Sequence, residues 1–181
     1  MSTLFDFNTQ LRLGDEGEVI FEKLYGHVFD KNNSTDVMLP DFKHKQTGAL
    51  AEIKYDNSPK AAKDKDGYQL NFFIELYSNS KTLSLGGPFR AAIEGVDYYV
   101  YMFKEPFRIF LMDVKKMRDI AAEVIHSEKY RIIPIKNKGW WTQGYALPIV
   151  LFKECFIEGD VLREGKILND ISATGTYLNI S

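Results

Sequence analysis

The sequence has few of the cysteines and histidines that form disulfide bonds or structural zinc sites. Its 181 residues include one cysteine, Cys155, and three histidines that lie far apart. A single cysteine cannot form an intramolecular disulfide, and scattered histidines do not give the ligand spacing of a structural zinc site. We therefore expect a chain that folds through its own apolar core in a reducing cytoplasm.

Long apolar runs and a strong charge of either sign are also missing. No stretch reaches the roughly 18 apolar residues of a membrane-spanning helix, and the N-terminus lacks the basic start and apolar segment of a secretory signal. The chain carries 23 Lys and Arg against 25 Asp and Glu, a net charge of −2. We expect no membrane partner, and any nucleic-acid binding must come from a local basic patch.

The sequence does contain enough apolar surface for one domain. Hydrophobic residues make up 45% and aromatic residues 14% of the chain, which suits a single domain over 1–181. Helical spacing of apolar residues predicts helices over 14–27 and 114–127, and a polar stretch predicts a solvated loop over 57–67. The predicted strands span 35–42, 49–55, 71–77, 97–103, 108–114 and 145–152. The pattern indicates an α/β fold with a mixed central sheet of about five strands flanked by helices.

The charged residues Glu52 and Lys54 interrupt the otherwise apolar strand 49–55. Residues two apart on a strand point to the same face, so these side chains lie together while Ile53 faces the other side. A hairpin closing around 43–48 would add an aspartate from the preceding strand. Two carboxylates and one ammonium suit a metal-dependent site that cleaves phosphodiesters, because Mg²⁺ prefers one or two carboxylates together with water and phosphate oxygens.

A surface ion pair is the alternative interpretation of Glu-x-Lys, because exposed pairs of this kind are common. Three further features favour a site: apolar neighbours along the strand, an acidic strand a short turn earlier, and a helix with acids in its first turns. Glu75 and Asp97 fall in strands that could border the same pocket, where we expect them to be supporting acids rather than ligands.

Taken in order along the chain, these features resemble the PD-(D/E)xK, or restriction-endonuclease-like, nuclease superfamily. In that pattern a helix carries a glutamate, one strand carries an aspartate, and the next strand carries Glu-x-Lys. The corresponding residues here are Glu18, either Asp36 or Asp41, and Glu52 with Lys54. The resemblance is closer to phage-type members, through the segments EIKYD, NFFIE and VDYYVY. It covers about residues 14–114, and the C-terminal third has no counterpart.

The resemblance implies a deoxyribonuclease of restriction-endonuclease-like fold that depends on Mg²⁺ or Mn²⁺ and acts as an endonuclease or exonuclease. Asp36 and Glu52 would hold the metal, Lys54 would position the attacking water, and Glu18 would assist from the first helix. Members act in restriction, recombination, repair or phage DNA metabolism, which implies a bacterial or phage-infected cytoplasm. DNA is then the expected partner, and a homodimer would suit cleavage of both strands. The rival interpretation is a catalytically inactive member that binds DNA or another protein.

The sequence leaves the metal-binding aspartate open between Asp36 and Asp41. Asp41 follows Pro40 and so reproduces the literal Pro-Asp of the family name, whereas Asp36 matches the strand start of the phage-type members. A regular hairpin would place Asp36 opposite Tyr55 and Asp41 opposite Leu50. Because Pro40 removes a ladder donor and bends the strand, register does not separate the two, and we favour Asp36 on the family pattern.

Three other features receive weaker interpretations. Trp140 and Trp141 lie beside Lys136 and Lys138 and could stack on unpaired bases, but we favour a packing role. Gly86-Gly87-Pro88 predicts a turn. Lysines near the mouth of the site are the candidates for DNA contact. They are Lys43, Lys45, Lys60, Lys63 and Lys65.

Overall fold

The computed structural model describes residues 7–32, 40–56, 71–104, 108–137 and 139–157. These residues form two β-sheets and several helices, which confirms the predicted α/β class. In chain order the elements are α1 (Phe7–Tyr25), β1 (Phe29–Lys31), β2 (Phe42–His44), β3 (Leu50–Asp56), β4 (Asn71–Asn79), β5 (Ser84–Leu85), α2 (Gly87–Ile93), β6 (Tyr98–Phe103), β7 (Arg108–Asp113), α3 (Val114–His126), β8 (Ile133–Lys136) and β9 (Trp141–Pro148). A 3-10 helix, Ile149–Cys155, follows β9.

The first sheet has the strand order β1-β2-β3-β6-β7. Strands β3 and β6 run parallel, whereas the other neighbouring pairs are antiparallel, so this sheet is mixed as predicted. Parallel neighbours need a long crossover connection, and the chain supplies it through β4, β5 and α2. Strand β3, which carries Glu52 and Lys54, therefore lies in the centre of the sheet.

Helix α1 covers one face of this sheet. Its Phe21 and Tyr25 are buried in one core with Phe42 of β2 and Tyr55 of β3. The helix approaches β3 closely at Gly17, where a Cβ atom would lie 2.5 Å from the Cβ of Tyr55. The missing side chain at residue 17 is thus what allows the helix to lie this close to the strand that carries the candidate site.

The other face of the first sheet packs against α2, α3 and a second, antiparallel sheet of order β5-β4-β9-β8. Phe72 of β4 lies in this second core, with its ring centroid 4.7 Å from that of Tyr101 in β6. Because both faces of the first sheet are covered, β6 and β7 are nearly continuous apolar runs, YYVYMF and RIFLMD.

The structure corrects the sequence prediction in four elements. Helix α1 begins at Phe7 rather than at residue 14 and ends at Tyr25. The predicted single sheet is two sheets, because β4 pairs with β9, Phe72 opposite Leu147, rather than with β3 or β6. Helix α2 begins where a turn was predicted, since Pro88 lies in its first turn, where a missing N–H costs no hydrogen bond. The last predicted strand stops at Pro148, and the chain continues as the 3-10 helix.

Two further predicted elements are only partly comparable with the structure. The strand over 35–42 is described only from residue 40, and β2 begins at Phe42. The loop over 57–67 lies outside the described residues.

The other predicted elements are confirmed. The strands predicted over 49–55, 71–77, 97–103 and 108–114 are β3, β4, β6 and β7, and the helix predicted over 114–127 is α3.

Candidate active site

The hairpin of β2 and β3 brings Asp41 next to Glu52. Phe42 pairs with Ala51, so Asp41 lies one position beyond this pair, beside Glu52. The Asp41 carboxylate accepts a hydrogen bond of 2.7 Å from the backbone N–H of Ile53, which holds it against β3. Alternation along the two strands puts both carboxylates on the face opposite α1, because Phe42 and Ala51 face the core under that helix.

The predicted register of this hairpin is wrong by two residues. Lys43, rather than Asp41, pairs with Leu50. The turn sets this register: the buried ring of His44 accepts a hydrogen bond of 3.1 Å at Nδ1 from the backbone N–H of Thr47, and Gly48 has a φ of +75°. The shift moves Asp41 away from the turn and towards the charged pair of β3.

Burial dominates the electrostatics of the two carboxylates. It raises the pKa of Asp41 to about 6, against a smaller lowering by the N–H of Ile53 and a further rise caused by the charge of Glu18. Burial also raises the pKa of Glu52 to about 8, and the neighbouring charge of Asp41 is the next cause. The pair therefore holds negative charge poorly by itself and gains from a positive partner.

Helix α1 carries Glu18, the site residue predicted on the first helix. Its carboxylate forms an ion pair of 3.1 Å with Lys31 at the end of β1. The charge of Glu18 raises the pKa of both Asp41 and Glu52, so the three carboxylates lie within electrostatic reach of one another. Glu18 therefore acts on the pair through its charge, and the described residues show no cluster of three acids that could hold a metal.

Lys54 follows Glu52 on the same face of β3 and is partly buried. It pairs in register with Tyr101 of β6. Within the described part of the chain, Lys54 forms neither an ion pair nor a hydrogen bond through its side chain. Its ammonium is therefore available to a ligand that lies beside Glu52.

Arg90 of α2 is a residue at this site that sequence reasoning missed. Its positive charge lowers the pKa of both Asp41 and Glu52. Its Nε donates a hydrogen bond of 2.7 Å to Glu94 one turn later, which orients the guanidinium. The sequence signal was an Arg and Glu four residues apart, but the preceding glycines and proline concealed the helix.

Glu75 and Asp97 have different surroundings. The charge of Glu75 acts on Arg90 and on the buried Tyr99, the strand partner of Glu52. A Cβ at Gly86 would collide with the Glu75 carboxylate, so that carboxylate lies against the residue that precedes α2. Asp97 instead accepts a hydrogen bond of 2.9 Å from the backbone N–H of Leu50 and ties down the beginning of β3.

The remaining candidates are divided by what the structure describes. Asp36 lies outside the described residues, as do Lys60, Lys63 and Lys65. Lys45 is engaged at the protein surface, with its Nζ 3.5 Å from an Asp30 carboxylate oxygen. Trp140 is half-buried, which fits the packing role predicted for it, whereas Trp141 is exposed, with 42% of its surface accessible to solvent.

The donor set can be compared with what a divalent cation requires. Within the described ranges, no group of three or more Asp, Glu, His or Cys side chains is arranged to hold a metal. Mg²⁺ binds through one or two protein carboxylates and keeps several waters, and Asp41 with Glu52 supplies that number. The chemistry of this pair therefore fits such an ion.

Comparison of the chain with family models, with curated proteins and with solved structures gives no match. None of the helices in the described part of the chain is long and apolar enough to cross a membrane.

Proposed function

We propose that this protein is a Mg²⁺- or Mn²⁺-dependent deoxyribonuclease of restriction-endonuclease-like fold, with its active site at Asp41, Glu52 and Lys54. The observation that carries the proposal is the pairing of Asp41 with Glu52, two partly buried carboxylates with raised pKa values, next to Lys54. Further support comes from the order of the parts: a helix with Glu18, then Asp41, then Glu-x-Lys on a mixed sheet.

Asp41 replaces Asp36 as our first choice of metal-binding aspartate. Its side chain lies against β3 through the N–H of Ile53, and its charge acts on Glu52. Asp41 also gives the literal Pro-Asp pair with Pro40. Asp36 remains the alternative ligand, and a direct comparison of the two substitutions separates them.

Asp41 and Glu52 would hold a divalent cation, which would supply Lewis acidity and neutralise charge that develops on the phosphate. The charge of the ion would relieve the cost of keeping two partly buried carboxylates ionised. Lys54 would orient the attacking water from the same face of β3. Arg90 would offset negative charge on the substrate phosphate, since its guanidinium already acts on both carboxylates.

The biological setting follows from the same proposal. The enzyme would act on DNA in recombination, repair or phage DNA metabolism, in a bacterial or phage-infected cytoplasm. A homodimer would place two related sites on the two strands of a duplex. The enzyme would cleave either from a DNA end or within a strand, and a comparison of supercoiled with linear DNA in the cleavage assay distinguishes the two.

The test is cleavage of supercoiled, linear, single-stranded and branched DNA in Mg²⁺, Mn²⁺ or EDTA. We expect metal-dependent cleavage that falls about 100-fold or more in Glu52→Gln, Lys54→Gln and Asp41→Asn. Glu123→Gln and Lys115→Gln are matched controls, because both side chains are exposed on α3. Asp36→Asn should retain cleavage if Asp41 is the ligand.

Two results would overturn this proposal. One is cleavage that survives Glu52→Gln and Lys54→Gln at the wild-type rate, which would assign the activity to another site. The other is no cleavage of any substrate together with no Mn²⁺ binding by calorimetry. That second result would leave a catalytically inactive module that binds DNA or protein.

A further inference from the structure

The second sheet carries an exposed aromatic and cationic surface at the beginning of β9. Trp141 is the first residue of β9, and its side chain is 42% exposed. Its backbone is held on both sides by Ser80: Trp141 N–H donates to Ser80 Oγ at 3.1 Å, and Trp141 C=O accepts from Ser80 N–H at 2.8 Å. The indole is therefore presented to solvent from a fixed backbone.

Positive charge lies beside this indole. Lys136 is the strand partner of Trp141 in β8, and its Nζ lies 5.8 Å from the centroid of the indole ring. Lys81 follows Ser80 directly in the turn between β4 and β5. Residues 128–141 carry four basic side chains and one acidic side chain in a chain whose net charge is −2. The acidic one is Glu128, and the basic ones are Lys129, Arg131, Lys136 and Lys138.

We propose that this surface, formed by Trp141, Lys136 and Lys81, binds an unpaired strand of nucleic acid. The proposal deepens the nuclease function, on which it rests for the choice of DNA, by naming a substrate with a single-stranded portion. An exposed indole stacks on any base whose face is free, and adjacent lysines contact the phosphates of the same strand. In a duplex the base faces are covered by their neighbours, so a duplex would meet only the lysines.

Charge favours a nucleic acid over a protein partner at this surface. The titratable side chains of the surface are both lysines, and Lys136 lies beside the indole rather than in an ion pair within the described residues. A polyanion with flat apolar bases complements both features at once. A protein partner would need acidic groups placed around a pocket for the indole, and self-association through the exposed strand β8 is tested as its own outcome.

The experiment measures binding of a fluorescein-labelled oligothymidylate of about 20 nucleotides by fluorescence anisotropy. Protein with Glu52→Gln is used in EDTA, so that no cleavage contributes. We expect Trp141→Ala to weaken binding about 5- to 100-fold and Trp141→Phe to restore most of it, because stacking needs an aromatic face. Val150→Ala is the matched control, since Val150 is also exposed, at 48%.

The lysines are tested by salt dependence. Lys136→Gln should reduce the slope of log affinity against log salt by about 0.7, the value for one single-strand phosphate contact. Lys115→Gln on α3 should leave that slope unchanged. Thermal unfolding of each variant checks that the fold is intact.

Several outcomes overturn the inference. One is equal affinity of Trp141→Ala and the parent protein for oligothymidylate. Another is equal loss in Trp141→Phe and Trp141→Ala, which would remove stacking as the cause. A third is a dimer, seen by sedimentation, that dissociates into monomers in Trp141→Ala without loss of oligothymidylate binding. That result would assign the surface to self-association. Binding that depends on Trp141 in a protein without nuclease activity would support this inference while overturning the proposed function, so the two fail separately.

Discussion

At the scale of single residues, the raised pKa of Glu52 makes the stability of the protein depend on pH. Burial raises its pKa to about 8, from about 4.3 in the unfolded chain. Between these values the folded state holds a proton that the unfolded state has lost, so the free energy of unfolding falls as pH rises. Above pH 8 both states are ionised and the penalty stays constant.

We therefore predict that Glu52→Gln stabilises the metal-free protein at alkaline pH. The glutamine carries no charge to desolvate, so the melting temperature at pH 9 should rise by about 5 °C, with little change at pH 4.5. Thermal unfolding in EDTA from pH 4.5 to 9 measures this. Glu123→Gln keeps Glu52 and should follow the wild type at every pH. Equal melting temperatures of Glu52→Gln and the wild type at pH 9 would refute the prediction.

Metal binding by Asp41 and Glu52 would make the free energy of unfolding depend on the concentration of a divalent ion. An ion that binds only the folded state raises the free energy of unfolding by about 2.7 kcal/mol when its concentration is a hundred times its dissociation constant. We expect Mn²⁺ to raise the melting temperature of the wild type at pH 8 and to have no such effect on Asp41→Asn or Glu52→Gln. A shift that persists in both variants would place the ion elsewhere.

At the scale of elements, the contact between α1 and β3 depends on glycine. A Cβ at residue 17 would lie 2.5 Å from the Cβ of Tyr55, and a Cβ atom cannot move without the strand backbone. We predict that Gly17→Ala destabilises the protein by about 1 to 3 kcal/mol through overpacking. It should also slow cleavage, because β3 carries Glu52 and Lys54.

Gly14→Ala is the matched substitution for this prediction. Gly14 lies in the same helix, and a Cβ there would meet nothing within 4 Å. Alanine should therefore stabilise the helix at this position by about 0.5 to 1 kcal/mol. Urea unfolding of both variants gives the two free energies, and equal signs for the two substitutions would contradict the close approach at Gly17.

Some elements were predictable because their signal is local. Strand alternation placed Glu52 and Lys54 on one face of β3 with Ile53 on the other, and the structure confirms it, since Ile53 packs with the core under α1. Burial on both faces left β6 and β7 as apolar runs that sequence alone identifies. The amphipathic spacing of α3 gave its bounds to within one residue.

Other elements depended on contacts that no short pattern encodes. The register of the β2–β3 hairpin is set by the ring of His44 and by Gly48, so the sequence placed Asp41 two positions from its observed partner. Arg90 was missed because Pro88 was interpreted as part of a turn rather than as the first turn of a helix. The pairing of β4 with β9 joins distant segments, so the second sheet was not visible.

At the scale of the whole molecule, Phe72 connects the two sheets. It belongs to β4 of the second sheet, and its ring centroid lies 4.7 Å from that of Tyr101 and 5.4 Å from that of Phe110 in the first sheet. It also lies 5.5 Å from Phe152 of the 3-10 helix. This single ring therefore contacts three parts of the fold. Glu52 and Lys54 lie on the face of β3 opposite α1, which is the face that packs against the second sheet.

This coupling predicts that both sheets unfold together and that Phe72→Ala destabilises the entire protein. Removing a buried phenylalanine ring costs about 3 to 5 kcal/mol. Tryptophan fluorescence reports on the second sheet through Trp141, and far-ultraviolet circular dichroism reports on the whole chain. In urea both signals should share one midpoint in the wild type and move together to lower urea in Phe72→Ala. Val150→Ala, at an exposed site, should leave the midpoint in place.

If Phe72→Ala instead separated the fluorescence transition from that of circular dichroism, the second sheet would be an independent folding unit. The surface at Trp141 could then be lost while the pair of Asp41 and Glu52 stayed intact.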